Sequence, residues 1–265
     1  MDYLLVFLIA IITSAASACV GLGGGLLLIP FLILIFDLPV KFVAGTMLFA
    51  MVPYTAVATW RNLRNGYVNF RIGMVMEAGA IIGVVLGAFS TNIFPDLLLK
   101  VIFVIIVFYL MITLRIPTNS PYNFIARGFN HINFIPPFIS CSTAKGSKCS
   151  IPSLIILGVV AGFFSGLLGI GGGFLNTPVL IVGVLLPPKV AVGTSLFMIL
   201  ITSLFGAAEH AILGHIHLEI GIAITFGMML GAFLGTHLLK NIPEERIKTF
   251  IFIAMFVAGI LTFFR

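Results

Sequence analysis

The sequence predicts an all-α integral membrane protein of two inverted repeats. Each repeat is expected to be a glycine-broken re-entrant or discontinuous helix pair followed by three transmembrane helices. The composition, a duplication at constant spacing, and a glycine cluster interrupting an apolar run at the same place in each half carry this expectation. Of 265 residues, 60% are hydrophobic and 8% charged, against about 25% charged in a soluble domain. So few charges cannot cover a water-facing surface. Apolar runs fall at 3–36, 42–60, 72–92, 96–114, 152–183, 189–208, 218–239 and 246–264. A bilayer span needs roughly 20 such residues, and backbone in hydrocarbon must satisfy its own hydrogen bonds, so these runs are helices rather than open strands. The formal charge of +6 would suggest a nucleic-acid partner in a soluble protein. Here the basic residues sit in short loops between spans, where they set topology, and no nucleic-acid partner is expected.

The duplication has an offset of 148: Gly21-Leu22-Gly23-Gly24-Gly25 with Pro30 matches Gly169-Ile170-Gly171-Gly172-Gly173 with Pro178. The same offset pairs Pro39 with Pro187, Gly45-Thr46 with Gly193-Thr194, Gly66 with Gly214, and Gly79, Gly83 and Gly87 with Gly227, Gly231 and Gly235. Such self-similarity marks a repeat architecture, here a first membrane repeat at 1–117 and a second at 149–265. Residues 118–148 between them form a linker rich in Pro, Asn and Ser. The glycines four apart share one helix face, and such faces let transmembrane helices approach closely.

Orientation follows from Lys and Arg. If each broken segment crossed the membrane once, the repeats would be parallel, with 8 basic residues inside and 6 outside; if each dips in and returns, the repeats are inverted and the count is 11 against 3. The positive-inside rule selects the inverted arrangement, with the linker cytoplasmic and both termini outside. Cys19 lies in the first apolar run and Cys141 and Cys149 in the linker. A cytoplasmic linker disfavours a disulfide between the last two. Ala16-Ser17-Ala18-Cys19 faintly echoes a lipoprotein cleavage site, but no Lys or Arg precedes it, so the N-terminus is expected to be retained.

Glycine in a membrane helix costs roughly 1 kcal/mol relative to alanine, yet the clusters occur twice at matching places. Interrupted apolar segments in equivalent positions of two halves point to a transporter's binding site. A half-helix that starts after the glycines exposes free N–H groups and the positive end of its dipole, which favours an anion. The expected site therefore lies near the midplane between Gly23, Gly24 and Gly25 and Gly171, Gly172 and Gly173. Thr46, Thr194, Ser195 and Asn176 would complete it with hydrogen-bond donors. The competing reading is that these glycines only permit tight helix crossing and the hydroxyls only cap or bridge helices. No Lys-Ser/Thr follows the glycines, so a nucleotide loop is excluded.

These motifs also resemble the TauE/SafE family of membrane transporters. The resemblance rests on the paired Gly-x-Gly-Gly-Gly-x4-Pro segments, Gly-Thr-Ser-Leu at 193–196 with its counterpart Gly-Thr-Met-Leu at 45–48, and Gly-His-Ile at 214–216. It covers both halves and leaves out the linker. It implies export of sulfite or a small organosulfonate. Met47 stands where the second half has Ser195, so one half lacks that hydroxyl.

Ionisable residues in spans are functional candidates. Glu77, whose counterpart is Thr225, is read either as carrier of a coupling proton or as an interfacial carboxylate paired with Arg71 or Arg61. Trp60-Arg61-Asn62 aligns with Ala208-Glu209-His210, so Arg61, Glu209 and His210 are candidate gating groups, or ordinary span ends with Trp60 as an interface anchor. Glu209, His210, His215, His217 and Glu219 lie close in sequence, but their spacing matches no zinc site; a pH-sensitive gate suits them better. The expected function is secondary transport, in the export direction, of a small anion across the cell membrane. The alternatives are an anion channel and an intramembrane enzyme. The chain has no ATP-binding motif, and no cofactor and no metal are expected. The expected partners are the anionic substrate, the lipid bilayer, and a coupling proton or cation.

Overall fold

The computed structural model describes residues 3–36, 39–116, 120, 122–123, 128, 131, 133–140 and 148–263. Its first half contains α1 (Tyr3–Val20), α2 (Gly25–Phe36), α3 (Val40–Arg64), α4 (Phe70–Ser90) and α5 (Asp96–Arg115). In the linker a short antiparallel pair, β1 (Phe138–Ser140) and β2 (Lys148–Ser150), aligns Ile139 with Cys149. The second half contains α6 (Ile151–Leu168), α7 (Gly173–Val182), α8 (Pro188–Ile212), α9 (Leu218–Asn241) and α10 (Glu244–Phe263). Among the described residues seven helices are long and apolar enough to cross a membrane: α1, α3, α4, α5, α6, α8 and α9. Outward-facing Ile82, Leu86 and Phe89 on α4, and Phe226, Leu230 and Leu234 on α9, are exposed, as a lipid-facing surface requires.

Both apolar runs expected to be broken are broken. α2 has 12 residues and α7 has 10, about half of what a ~30 Å hydrocarbon core needs. The breaks are held by left-handed backbone at Gly21, Gly23 and Gly24 and at Gly169, Gly171 and Gly172, with φ between 71° and 80°. A side chain in that region costs roughly 1–2 kcal/mol per residue, which explains why three glycines are spent on each break. Pro39 and Pro187, also 148 apart, precede α3 and α8.

The glycine-lined faces are contact faces. On α4, Gly79, Gly83 and Gly87 lie against the backbone of Ile155, Val159 and Phe163 on α6; in return Gly158, Gly162 and Gly166 on α6 lie against Met76, Ala80 and Val84. Residue numbers rise together, so the two helices run parallel. The equivalent contact pairs Gly227, Gly231 and Gly235 on α9 with Phe7, Ile11 and Ala15 on α1. Each arm that leads into a break is thus clamped to a helix of the opposite half.

In the centre α3 and α8 lie side by side and antiparallel. Gly45, near the start of α3, touches the carbonyl of His215 beyond the end of α8; Gly193, near the start of α8, touches the carbonyl of Tyr67 beyond the end of α3. Two hydrogen bonds repeat the exchange, His217 N–H to Thr46 Oγ1 and Asn69 N–H to Thr194 Oγ1, both 2.9 Å. At the Tyr67 end, Lys189 donates to the carbonyl of Lys240 at 3.0 Å and lies 5.9 Å from the Tyr67 ring. A depression of about 440 Å³ there is lined by Gly66, Asn69, Arg71 and Val190 together with Ser140 of the linker. Basic residues from both halves therefore share one end of the bundle.

Cys149 is disulfide-bonded, contrary to the expectation of unpaired linker thiols. Cys141, Arg127 and Lys145 lie outside the described residues, as does Arg265.

Close packing and backbone strain separate cleanly at two glycines. A Cβ on Gly83 would collide with the carbonyl of Val159, whereas Gly66, with φ 71°, has nothing within 4 Å. Gly66→Ala is expected to cost about 1–2 kcal/mol from the left-handed backbone alone. Gly83→Val adds overpacking of about 1–3 kcal/mol or more and is expected to melt well below Gly66→Ala when the purified proteins are heated in detergent. Equal melting temperatures would show that the α4–α6 face is not tightly packed.

Candidate substrate site

The two breaks meet in the middle of the bundle. Gly25 packs against the carbonyl of Gly169 and Cα of Ile170, each 3.1 Å from where its Cβ would be, and Gly173 packs against the carbonyl of Gly21 at 2.6 Å. The glycines predicted to converge therefore do so. The space between them is filled with apolar side chains: Met51 Cε and Ile199 Cδ1 would lie 2.7 and 3.0 Å from a Cβ on Gly23, and the same two residues crowd Gly171. Met51 and Ile199 are themselves 148 apart.

The predicted hydroxyl shell is not turned toward that centre. Thr46 and Thr194 accept the N–H groups of His217 and Asn69 at opposite ends of the bundle. Ser195 does reach a break, where it donates to the Gly21 carbonyl at 2.9 Å, and Thr177 donates to the same oxygen at 2.8 Å. These bonds tie the first glycine loop to α7 and α8.

The surroundings of the two breaks then differ. Gly24 is covered by Met228 Cε and by the ring of Tyr54, 3.6 Å from its Cβ position. Gly172, its counterpart, has no neighbour nearer than 3.4 Å: Asn176 Nδ2 at 3.4 Å, and the Ala161 carbonyl and Ser165 Cβ at 3.5 Å. Asn176 and Ser165 are buried, and Asn176 Oδ1 and Ser165 Oγ have no hydrogen-bond partner. Buried polar atoms normally find partners; Ser17 Oγ at the first break also lacks one, so Asn176, whose counterpart is Leu28, is what sets the second break apart. Ser165 was not singled out in the sequence. Its signal was available, because Ser17 and Ser165 each precede their glycine cluster by four residues at the same offset of 148.

Glu77 is buried in α4 and hydrogen-bonds through Oε1 to the hydroxyl of Thr202 on α8, while Oε2 has no partner. It pairs with neither Arg71, which is exposed, nor Arg61, whose guanidinium stacks 4.0 Å over the Phe233 ring. Trp60 is exposed, with Arg64 over its ring at 4.0 Å, as an interface anchor would be.

Of the residues between 209 and 219, two form a buried pair. His210 and His215 approach at 3.1 Å through their Nδ1 atoms, and His210 Nε2 lies 3.0 Å from the carbonyl of Gly166. The carbonyl can only accept, so His210 carries its proton on Nε2 and its Nδ1 accepts from Nδ1–H of His215. The pair thus runs from the α8–α9 turn to the residue after Ser165. Glu209 is half-buried, and Glu219 accepts from the Tyr3 hydroxyl at 2.9 Å; neither joins the pair. Among the described residues no three of His, Cys, Asp and Glu are grouped to hold a metal ion.

Residues 6–262 match the family model described as "Sulfite exporter TauE/SafE". The chain belongs to the TauE/SafE family. As a TauE/SafE protein with seven helices able to span a bilayer, it is a multi-pass membrane protein. It is similar to the probable membrane transporter proteins YunE and YdhB of Bacillus subtilis. Identity to YunE is 27%, over 98% of this chain and 96% of the relative; to YdhB it is 24%, over 98% and 100%. It also resembles "Sulfite exporter TauE/SafE family protein 2" of Arabidopsis thaliana, 31% identical over 38% of this chain and 21% of that protein. No solved structure matches the chain.

Burial, and secondarily the Lys41 ammonium, hold the His215 imidazole below the ordinary histidine range. The unfolded chain then binds a proton at a pH where the folded protein does not. This TauE/SafE protein should lose stability as pH falls below about 6.5, the ordinary histidine value, and the loss should level off below the depressed folded value. Melting of wild type and His215→Phe between pH 7.5 and 5 checks this. The variant is expected to show the shallower acid decline, and identical slopes would remove His215 from the account.

Proposed function

We propose that this TauE/SafE protein is a secondary transporter of a small anion, working in the export direction on sulfite or an organosulfonate. The observation that carries the reading is the second half-helix: α7 starts inside the bundle at Gly173, with the unpartnered Ser165 hydroxyl and the Asn176 Nδ2 amide group beside its first turn. Its first N–H groups and dipole favour negative charge. The neutral donors nearby hold an oxyanion without the strong grip of a charge-assisted pair to a buried arginine. The chain's relatives are named as transporters rather than enzymes, and "sulfite exporter" is the description of its family.

The proposed architecture is a pair of inverted repeats related by a two-fold axis in the membrane plane. The antiparallel α3 and α8, and contacts exchanged at the 148 offset, support it. The basic end formed by the 61–71 turn, Lys189, Lys240 and the linker is assigned to the cytoplasm by the positive-inside rule. The disulfide at Cys149 points the other way, because disulfides persist in oxidising compartments. Single cysteines placed in the 61–71 turn and labelled from outside decide between the two; labelling there reverses the assignment and leaves the antiparallel pairing intact.

Transport is tested in proteoliposomes with imposed gradients and sulfite, sulfate, thiosulfate and methanesulfonate as probes. Saturable flux of at least one sulfur oxyanion, driven by an ion gradient, is the expected outcome. Flux of none of them overturns the anion reading. Flux that runs passively at a rate independent of any coupling gradient makes the protein a channel.

A further inference from the structure

We propose that the second glycine break alone holds the transported anion, at the N-terminus of α7 with Ser165 and Asn176, and that Glu77 brings one proton in with each anion. The proposal rests on the anion-transporter reading and narrows it to one place and one coupling ion.

The first half has the same break, but side chains from both halves close it. Leu28, Tyr54 and Met228 of the first site stand where the second has Asn176, Thr202 and Ala80. Met228 Cε and the Tyr54 ring cover Gly24, whereas around Gly172 nothing comes closer than ordinary contact distance. The first N–H groups of α7 are therefore less obstructed than those of α2. Two buried polar atoms follow the same division. Asn176 Oδ1 and Glu77 Oε2 are unpartnered in the second site, and in the first their positions are Leu28 and Thr225, whose hydroxyl is spent on the Gly221 carbonyl at 2.7 Å; Ser165 Oγ and its counterpart Ser17 Oγ are unpartnered in both.

Thr202 links Glu77 to this place. It occupies the position whose counterpart, Tyr54, lies on Gly24. Its hydroxyl oxygen is within bonding reach of both Glu77 Oε1 and the Met198 carbonyl, the latter at 3.1 Å. A hydroxyl has one proton and cannot donate to both. With a proton on Glu77, the carboxyl donates to Thr202, and Thr202 donates to Met198; both contacts are then satisfied.

No fixed cation faces Glu77 among the described residues. α6 and α7 carry no titratable side chain. On α8, Lys189 is held at one end by the Lys240 carbonyl. At the other end, His210 is held by Gly166 and His215, and Glu209 adds no positive charge. On α4 itself Arg71 is exposed at the start of the helix. An ionised Glu77 beside an oxyanion would leave two like charges in a poorly solvated place, which is costly. The anion therefore enters with the carboxyl protonated. For a monovalent sulfonate or hydrogensulfite the loaded site adds no net charge. On release the anion leaves and the carboxyl gives its proton to water on the same side.

A sodium ion on the same oxygens is the rival occupant, but the positive end of α7 disfavours it.

The test transplants the closed site into the open one and back. Binding of methanesulfonate and of sulfite to the purified full-length protein is measured by calorimetry at pH 6 and pH 8, with and without sodium. Asn176→Leu and Ala80→Met, which copy the first site, are each expected to weaken binding at least tenfold while the protein stays monodisperse and melts cooperatively. Met228→Ala, in the closed site, is expected to change affinity less than twofold. Wild type should bind more tightly at pH 6, and Glu77→Gln should flatten that dependence. The proposal is overturned by folded Asn176→Leu and Ala80→Met variants with wild-type affinity, by tenfold weakening in Met228→Ala, by an unchanged pH slope in Glu77→Gln, or by binding that follows sodium instead of pH. Wild-type protein that binds neither probe and transports no oxyanion overturns the parent anion reading, a result separate from any of these.

Discussion

Close approach of backbone to backbone, glycine against carbonyl, is the contact on which this molecule depends. α4 lies on α6, and α1 on α9, with small residues on the facing sides. Two helices brought this close have no room between them for lipid or for a flexible side chain. Because α1 and α6 are the arms that lead into the breaks, each break is held by a helix from the other half. Neither half can place its own half-helix alone. The left-handed glycines at 21–24 and 169–172 then need only turn the chain, since the arms already fix where the turn occurs.

Much of this was legible in the sequence, and for a physical reason. Duplication preserves spacing, and glycine and proline act through the backbone, so their pattern reports backbone geometry whatever the neighbouring side chains are. The breaks, the half-helices and the close-packed faces all belong to that class. The paired turns behave similarly: Thr46 and Thr194 stood out as equivalent, and the structure makes them equivalent, each accepting an N–H from the turn that follows the other half's central helix. That role is to join helices, one of the two readings the sequence allowed for them.

What the sequence did not show is how side chains divide the space that the backbone leaves. The equivalent residues Met51 and Ile199 crowd both Gly23 and Gly171, so the apolar pair fills the centre from both sides at once. Polar groups are left where a position and its counterpart diverge. Reading the glycines identified the right elements, but the looser packing at Gly172 than at Gly24 goes with the smallness of Ala80 and Thr202, and neither has a pattern of its own. Ser165 was missed for a related reason, because a serine before a glycine cluster looks like ordinary helix packing until its hydroxyl is seen to lack a partner.

Four of the differences between the two breaks act in one direction. Leu28 against Asn176, Tyr54 against Thr202, Met228 against Ala80 and Thr225 against Glu77 each make the first site fuller or less polar than the second. Packing alone does not demand this. A repeat that only had to pack would keep both sites closed, since burying an unpartnered polar group costs roughly 1–3 kcal/mol. The second site bears that cost at Asn176 Oδ1 and Glu77 Oε2, where the first site has Leu28 and Thr225. Retaining both arrangements is consistent with a division of labour, in which the sealed copy gives the moving parts a rigid counterpart and the open copy holds what moves.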